Sequence, residues 1–331
     1  MRTPNHARRD LLKLAVAAAA GVPMTSALAQ AALPKGPVVL VVPFAAGGAT
    51  DVVSRLVAQK LAERIGRSVV VENTSGGGGS IGAARVAKAA ADGSVLLMGT
   101  VATHAISPLS TPPTPYDPVR DFTPVSLIAK VTNVLLVNPS VKARDVRELI
   151  AMLKAQPGKF NYGSSGVGTP PHLSGELFKS MAGVDIQHVP YRGGGPAMSD
   201  LIAGHIPILF DVLSGAASHI RAGSARALAV TMDTRAASFP DIPTMVEAGL
   251  PGYETYTWNA VFGPAGMPRA TVDQLSRELQ AVVAEQEVQA KLKDLSASPV
   301  GSTPEALAAL VRAELDKWGP VIKALGGLKR D

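Results

Sequence analysis

The chain has 331 residues, 47% of them hydrophobic and 18% charged, with a formal net charge of +6. That apolar content argues against a disordered protein and suffices for one large core or two medium ones. There is no cysteine, which excludes disulfides, thiolate metal sites, a cysteine nucleophile and a lipid anchor on an N-terminal cysteine.

The chain opens on a targeting segment. MRTPNHARRDLLK is basic, LAVAAAAGV is apolar and MTSALAQ ends in a small-x-small site, so residues 1–29 read as a secretory signal peptide cut after Ala29. The pair Arg8-Arg9, followed by Asp10, Leu11, Leu12 and Lys13, resembles a twin-arginine signal, from which Ala7 and Leu11 depart; export by that route or by the general secretory route is expected. Removing the segment takes away Arg2, Arg8, Arg9, Lys13 and Asp10, which lowers the net charge from +6 to +3. A mature chain so near neutral, without a block of like charge, gives no case for nucleic-acid binding. No later stretch reaches the roughly 18 unbroken apolar residues of a membrane helix, so the mature protein is expected to be soluble and exported.

Strand-like and helical runs then alternate. PVVLVVPF (37–44) predicts a strand, and DVVSRLVAQKLAERIG (51–66) an amphipathic helix with Thr50 or Asp51 as its N-cap and Gly66 just past its end. SVVVEN (68–73) and SVLLMGT (94–100) are further strands around the helix SIGAARVAKAA (80–90). Apolar strands alternating with helices predict a parallel sheet covered on both faces. A proline-rich loop follows at 107–125, then a strand at 132–140 and a helix at 146–158. FNYGSSGVGTPPHLSGELFKSMAG (160–183) and DIQHVPYRGGGPAMSDLIAG (185–204) repeat the strand, glycine loop and helix of the opening. IPILFDVLSG (206–215) and ARALAVTM (225–232) are strands, and most of 268–325 is helical. The units fall in two sets, 37–100 and 132–232, which predicts two α/β domains with the C-terminal helices returning to the first.

Four glycine loops precede helix starts: FAAGGAT (44–50), NTSGGGGS (73–80), GSSGVGTPP (163–171) and YRGGGP (191–196). A helix N-terminus carries unpaired N–H groups and about half a positive charge, so such loops hold an anion without a charged side chain, or are simply tight turns. FAAGGATD lacks the Lys-Ser/Thr end of a phosphate loop. Gly77-x-Gly79-x-x-Gly82 matches the dinucleotide fingerprint formally, but the next strand ends without an acidic residue for the ribose. HExxH does not occur, Gly163-Ser164-Ser165-Gly166-Val167 misses the nucleophile elbow at its last residue, and no nucleophile–base pair is evident. None of the five histidines after the signal segment has metal-ligand spacing; His172 and His188 read as structural groups or ligand hydrogen-bond donors. Asp211, a lone charge ending the apolar strand IPILF, either holds a backbone turn or faces a ligand.

These segments together resemble a known family. VVPFAAGGATDVVSR, VVVENTSGGGGSIGAA, FNYGSSGVGTPPHLSGELFK, HVPYRGGGPAMSDLIAG, ILFD, ALAVTMDTRAASFPDIPTMVEAGLPGYE and FGPAGMP resemble, in order, blocks of the Bug-type solute-binding proteins, the extracytoplasmic components of tripartite tricarboxylate transporter systems. The resemblance implies an α/β periplasmic binding protein of type II-like topology, with two crossovers and a ligand cleft between domains 30–131 plus 255–331 and 132–254. It implies a periplasmic monomer without cofactor, metal or catalysis. Such a receptor captures a small carboxylate (a di- or tricarboxylate, an acidic amino acid or an aromatic acid) and meets integral-membrane transporter subunits transiently. The alternative is a ligand-sensing receptor acting on a membrane signalling partner. The implied ligand-binding residues are Phe44, Ala45, Ala46, Gly47, Gly48, Thr50 and Asp51 in the first loop. Ser164, Ser165, Gly168, Thr169 and His172 form the second wall, Tyr191, Arg192 and Gly193 line the cleft, and Asp211 lies at its back.

Overall fold

The computed structural model describes residues 33, 36–191, 193–324 and 326–328; the signal-peptide reading of residues 1–29 and the site role of Arg192 fall outside them. The first half builds β1 (Val38–Val42), α1 (Ala49–Ile65), β2 (Val69–Asn73), α2 (Ser80–Ala87) and β3 (Val95–Thr100). A 16-residue strand, β4 (Phe122–Val137), leads into α3 (Val146–Ala155), β5 (Phe160–Ser164), α4 (Pro170–Ala182), β6 (Ile186–Pro190), α5 (Gly194–Ala203), β7 (Ile208–Val212), α6 (Leu213–Arg221) and β8 (Arg226–Val230). The chain returns through β9 (Tyr256–Pro264), α7 (Arg269–Ala284), α8 (Gln286–Asp294), β10 (Ala297–Pro299) and α9 (Pro304–Ala324). Among the described residues no helix is long and apolar enough to cross a membrane.

The sheet runs β2-β1-β3-β9-β4-β7-β5-β6, with β8 and β10 also on β4. Its two wings are parallel, as expected: β1 pairs β2 and β3, and β5 pairs β6 and β7. Its centre is not. β9 is antiparallel to β3 and β4, and β7, β8 and β10 are antiparallel to β4, so the all-parallel sheet is corrected to a mixed one. Strand β4 starts ten residues before the strand expected at 132–140. Its register slips at Pro124 and again near Ile128, so the period-2 pattern is broken where the strand begins.

The inner strands β1, β3 and β7 are buried on both faces, which is why they read as unbroken apolar runs, whereas alternate residues of the edge strand β2 are exposed. Val38, Leu40 and Val42 of β1 join Leu96 and Met98 of β3 in one core with Val53 and Leu61 of α1, Leu275 and Leu279 of α7, and Leu292 of α8. The alternate residues Val41 and Leu97 face a second core with Trp258, Phe262 and Trp318. In the other wing Leu135, Ile208 and Phe210 face one core while Val134, Leu136 and Leu209 face another. The last helices therefore pack back onto α1.

Between the wings the apolar pattern yields to a knot of buried polar groups. Asn133 N–H donates to Thr231 Oγ1 (3.0 Å) and Thr231 N–H to the Asn133 carbonyl (3.0 Å). Thr231 Oγ1 lies 2.6 Å from the Thr255 carbonyl, and Thr255 N–H donates to the Thr231 carbonyl (2.9 Å). Ser174 of α4 closes the knot, 3.0 Å from Asn133 Nδ2 and 2.7 Å from Thr255 Oγ1. All four residues are fully buried. The knot ties the two crossing segments to the first turns of α4.

Candidate functional site

The carboxyl ends of β1 and β5 each release the chain into a glycine loop and a helix. The first loop leaves Ala45, Ala46, Gly47 and Gly48 exposed and Phe44, Ala49 and Thr50 half-buried. Its N-cap is Gly48, so neither Thr50 nor Asp51 caps α1. Asp51 instead sits in the first helical turn and reaches back: its Oδ2 accepts the Gly47 N–H (2.9 Å) and Arg55 Nε (3.0 Å), while Oδ1 accepts Asn73 Nδ2 (2.9 Å). Asn73 also donates to the Phe44 carbonyl (3.0 Å). Burial alone would raise the Asp51 carboxyl; the bonds from Arg55, Gly47 and Asn73 outweigh it and hold the group below the usual carboxylate range. Asp51 is thus the carboxylate that shapes the loop. Thr50 Oγ1 accepts from Asn259 Nδ2 of β9 (3.3 Å).

The second loop is organised from beneath. Ser164 Oγ accepts the Gly166 N–H (3.1 Å) and lies 2.7 Å from His188 Nε2. A serine–histidine pair therefore exists, where none was evident in the sequence. Ser164 is fully buried and spends its hydroxyl within its own loop. Thr169 caps α4, as Pro170-Pro171 at the first helical turn requires, and its Oγ1 donates to the Gly166 carbonyl (2.7 Å). Ser165 Oγ donates to Thr169 Oγ1 (3.2 Å). Gly168 N–H donates to His172 Nδ1 (3.3 Å), which fixes a neutral imidazole. The His172 ring lies 4.1 Å from that of His188, tilted by 35°, and burial holds the pair down, to about 4 and about 3. Ser165 to Thr169 remain half-exposed above this support.

The third loop differs. Tyr191 turns its hydroxyl to Asp200 of α5 (2.7 Å), and burial with that carboxylate pushes it up to about 12. Gly193 caps α5 with no side-chain bond. Asp211, at the carboxyl end of β7, is 4% exposed; Oδ1 accepts its own neighbour's N–H, from Val212 (2.8 Å). Its carboxylate lies against the start of α5, where a Cβ on Gly194 would stand 2.8 and 2.9 Å from the two oxygens. Burial raises this carboxyl to about 7. Among the described residues no three or more His, Cys, Asp or Glu side chains are placed to hold a metal.

The comparisons with known proteins agree with this architecture. Residues 53–327 match the family described as the tripartite tricarboxylate transporter family receptor. The protein BugT of Bordetella pertussis is 35% identical over 88% of this chain and 90% of its own. An R. palustris protein solved with adipate is 40% identical, with a TM-score of 0.84 over 89% of this chain and 99% of its own. MatC of Rhodopseudomonas palustris, solved with bound malate, is 34% identical, with a TM-score of 0.79 over 87% and 99%.

The chain belongs to the tripartite tricarboxylate transporter receptor family.

The α/β binding-protein fold that the resemblance implied is thereby borne out. For a receptor of this family the structure separates two kinds of residue among those singled out. Ala45 to Gly48, Thr50, Ser165, Gly168, Thr169 and Gly193 lie on the loops themselves. Asp51, Ser164, His172 and Tyr191 stand behind them as supports. Sequence reasoning missed Asn73, His188 as the partner of Ser164, and Asn259. Each is a polar residue in or at the end of an otherwise apolar strand, and that interruption was the available signal.

Proposed function

We propose that this receptor is a monomeric periplasmic protein, exported by residues 1–29, that captures a small carboxylate between two lobes and delivers it to integral-membrane transporter subunits. The lobes are residues 30–131 with 255–331, and 132–254. The observation that carries the reading is the pair of half-exposed loops opening α1 and α4, whose own side chains carry no positive charge and which offer only backbone N–H groups and hydroxyls. Such a cradle suits a carboxylate. The adipate and malate in the two solved relatives support the same class.

One helix end contributes about 0.3–1 kcal/mol, whereas micromolar affinity needs about 8 kcal/mol. Contacts from both lobes must therefore meet around the ligand, which hinge closure at the polar knot of Asn133, Thr231 and Thr255 provides. In this reading Phe44 to Thr50 hold one end of the ligand, Ser165 to Thr169 with Arg192 and Gly193 hold the other, and Asp211 lies at the back. No catalysis is assigned, because the buried Ser164 cannot reach a substrate. The test is a thermal-shift screen of residues 30–331, refolded to remove carried-over ligand, against adipate, malate, citrate, glutamate, benzoate and the amide of each. A ligand at 100 times its Kd adds about 2.7 kcal/mol of stability. A shift with an acid that is absent with its amide supports the reading; no shift, or equal shifts, refutes it.

A further inference from the structure

Asp211 remains without a role that its bonds explain. It is 4% exposed, and its one protein hydrogen bond among the described residues is the Val212 N–H on Oδ1. Among the described residues no donor reaches Oδ2. The carboxylate fits between two helix starts, against Gly194 of α5 and with Gly215 of α6 3.7 Å from Oδ2 at its Cβ position. The described charged groups on the elements around it are engaged elsewhere. Asp200 of α5 bonds Tyr191 and His205, Arg221 of α6 lies over Phe239, and Arg226 of β8 donates to the Val141 carbonyl. His219 of α6 meets Ser224, and Lys130 of β4 lies over Tyr256. A buried carboxylate with an open oxygen and no cation among the described residues is a poor neighbour for a second carboxylate, because like charges repel more strongly in a low-dielectric cleft than in water. Closing the lobes would also dry the site, and a dry, unpaired carboxylate oxygen is costly.

We propose that Asp211 enters the closed, loaded state as the neutral acid, so that capture of a plain dicarboxylate takes up one proton from solution. The proposal rests on the carboxylate-receptor reading above. Its chemistry balances simply: Asp211–COO⁻ plus H⁺ gives Asp211–COOH, whose O–H donates to an acceptor in the cleft, and no other bond changes. In the free protein burial already brings Asp211 to about 7, within reach of the proton concentration at which a receptor works.

The experiment is calorimetric titration of the refolded protein with adipate, which carries no hydroxyl or amino group to donate in place of the proton. Titrations run at pH 8 in two buffers of different ionisation enthalpy. The expected result is uptake approaching one proton per adipate at pH 8, falling toward zero at pH 5.5. The Kd is expected to weaken about tenfold per pH unit above 7, the response of a single coupled proton. Asp211→Asn, which keeps the acceptor for the Val212 N–H, is expected to show no uptake and a pH-independent Kd. Adipate binding with no proton uptake in the wild type overturns this inference alone, and is the result if an arginine from the 191–196 loop keeps Asp211 ionised. Uptake that persists in Asp211→Asn also overturns it. If none of the acids in the screen binds, the receptor reading and this inference fall together.

Discussion

Replacing His104 by phenylalanine should flatten the acid side of the stability curve by a calculable amount. His104 is fully buried between aromatic rings, stacked 3.8 Å from Phe262 and 4.7 Å from Phe122. Its Nδ1 lies 2.9 Å from Thr103 Oγ1, and among the described residues its Nε2 has no partner. Burial holds it at about 3, against 6.5 for an ordinary histidine. The folded value is therefore depressed. Between pH 6.5 and 3 the unfolded chain holds a proton that the folded chain does not, and stability falls as the pH falls. One such proton is worth about 1.4 kcal/mol per pH unit. From pH 6.5 to 4.5 His104 alone thus removes about 2.3 kcal/mol, a large share of a typical domain's stability of about 5–15 kcal/mol. Phenylalanine keeps the ring stack and binds no proton. Urea unfolding followed by circular dichroism at pH 7.5, 6.5, 5.5 and 4.5 gives the slope for both proteins. The variant should lose about 1.4 kcal/mol per pH unit less than the wild type below 6.5. Equal slopes would refute the assignment of His104 as a neutral buried group.

Four further outcomes follow from the same geometry. Asp51→Ala removes the acceptor of three hydrogen bonds and should cost about 2–4 kcal/mol in urea unfolding while weakening carboxylate binding by calorimetry. Thr231→Val keeps the shape of the polar knot and removes its hydroxyl; it should cost about 1–3 kcal/mol, read from the urea midpoint. Gly194→Ala places a methyl 2.8 Å from an Asp211 oxygen and should lower the melting temperature. Wild type and Ser164→Ala should show the same background rate with p-nitrophenyl esters, because Ser164 is fully buried beneath its loop; a rate lost on substitution would contradict that.

The inner strands of the wings were legible because β1, β3 and β7 are buried on both faces. An apolar run such as Val38–Val42 announces itself whichever face is considered, and Gly66 at φ 66° closes α1 where the sequence placed its end. The centre was not legible for an opposite reason. Strand β4 crosses from wing to wing, pairing β9 and β10 up to Thr132 and β7 and β8 beyond it, while β9 lies between β3 and β4. The residues of β4 must change environment within a single strand. Thr132-Asn133 in β4 and Asn259 in β9 therefore interrupt the apolar pattern, and Pro124 breaks its period at a bulge. Helix α6 was missed because DVLSG reads as the end of a strand; its first turn follows Val212 with no side-chain cap to mark it.

The candidate site was legible in its backbone and illegible in its side chains. Glycines before a helix are visible in any sequence, since few other residues serve there. Which way a nearby polar side chain turns depends on partners far along the chain. Asp51 turns inward because Asn73, at the end of β2, waits for it, and Ser164 because β6 brings His188 alongside β5. Both residues are among the expected ligand contacts, and both spend hydrogen bonds on holding a loop in shape. The same logic makes Asp211 the exception. The strands and helices around it bring Gly194, Gly215 and Val134 to its side and no cation among the described residues. A supporting carboxylate in this protein carries three donors, as Asp51 does; one that carries a single backbone N–H is left with capacity to bond. That inequality between two buried aspartates, and not the presence of an acid near a glycine loop, is what singles out Asp211 as the group whose charge must change when an anion arrives.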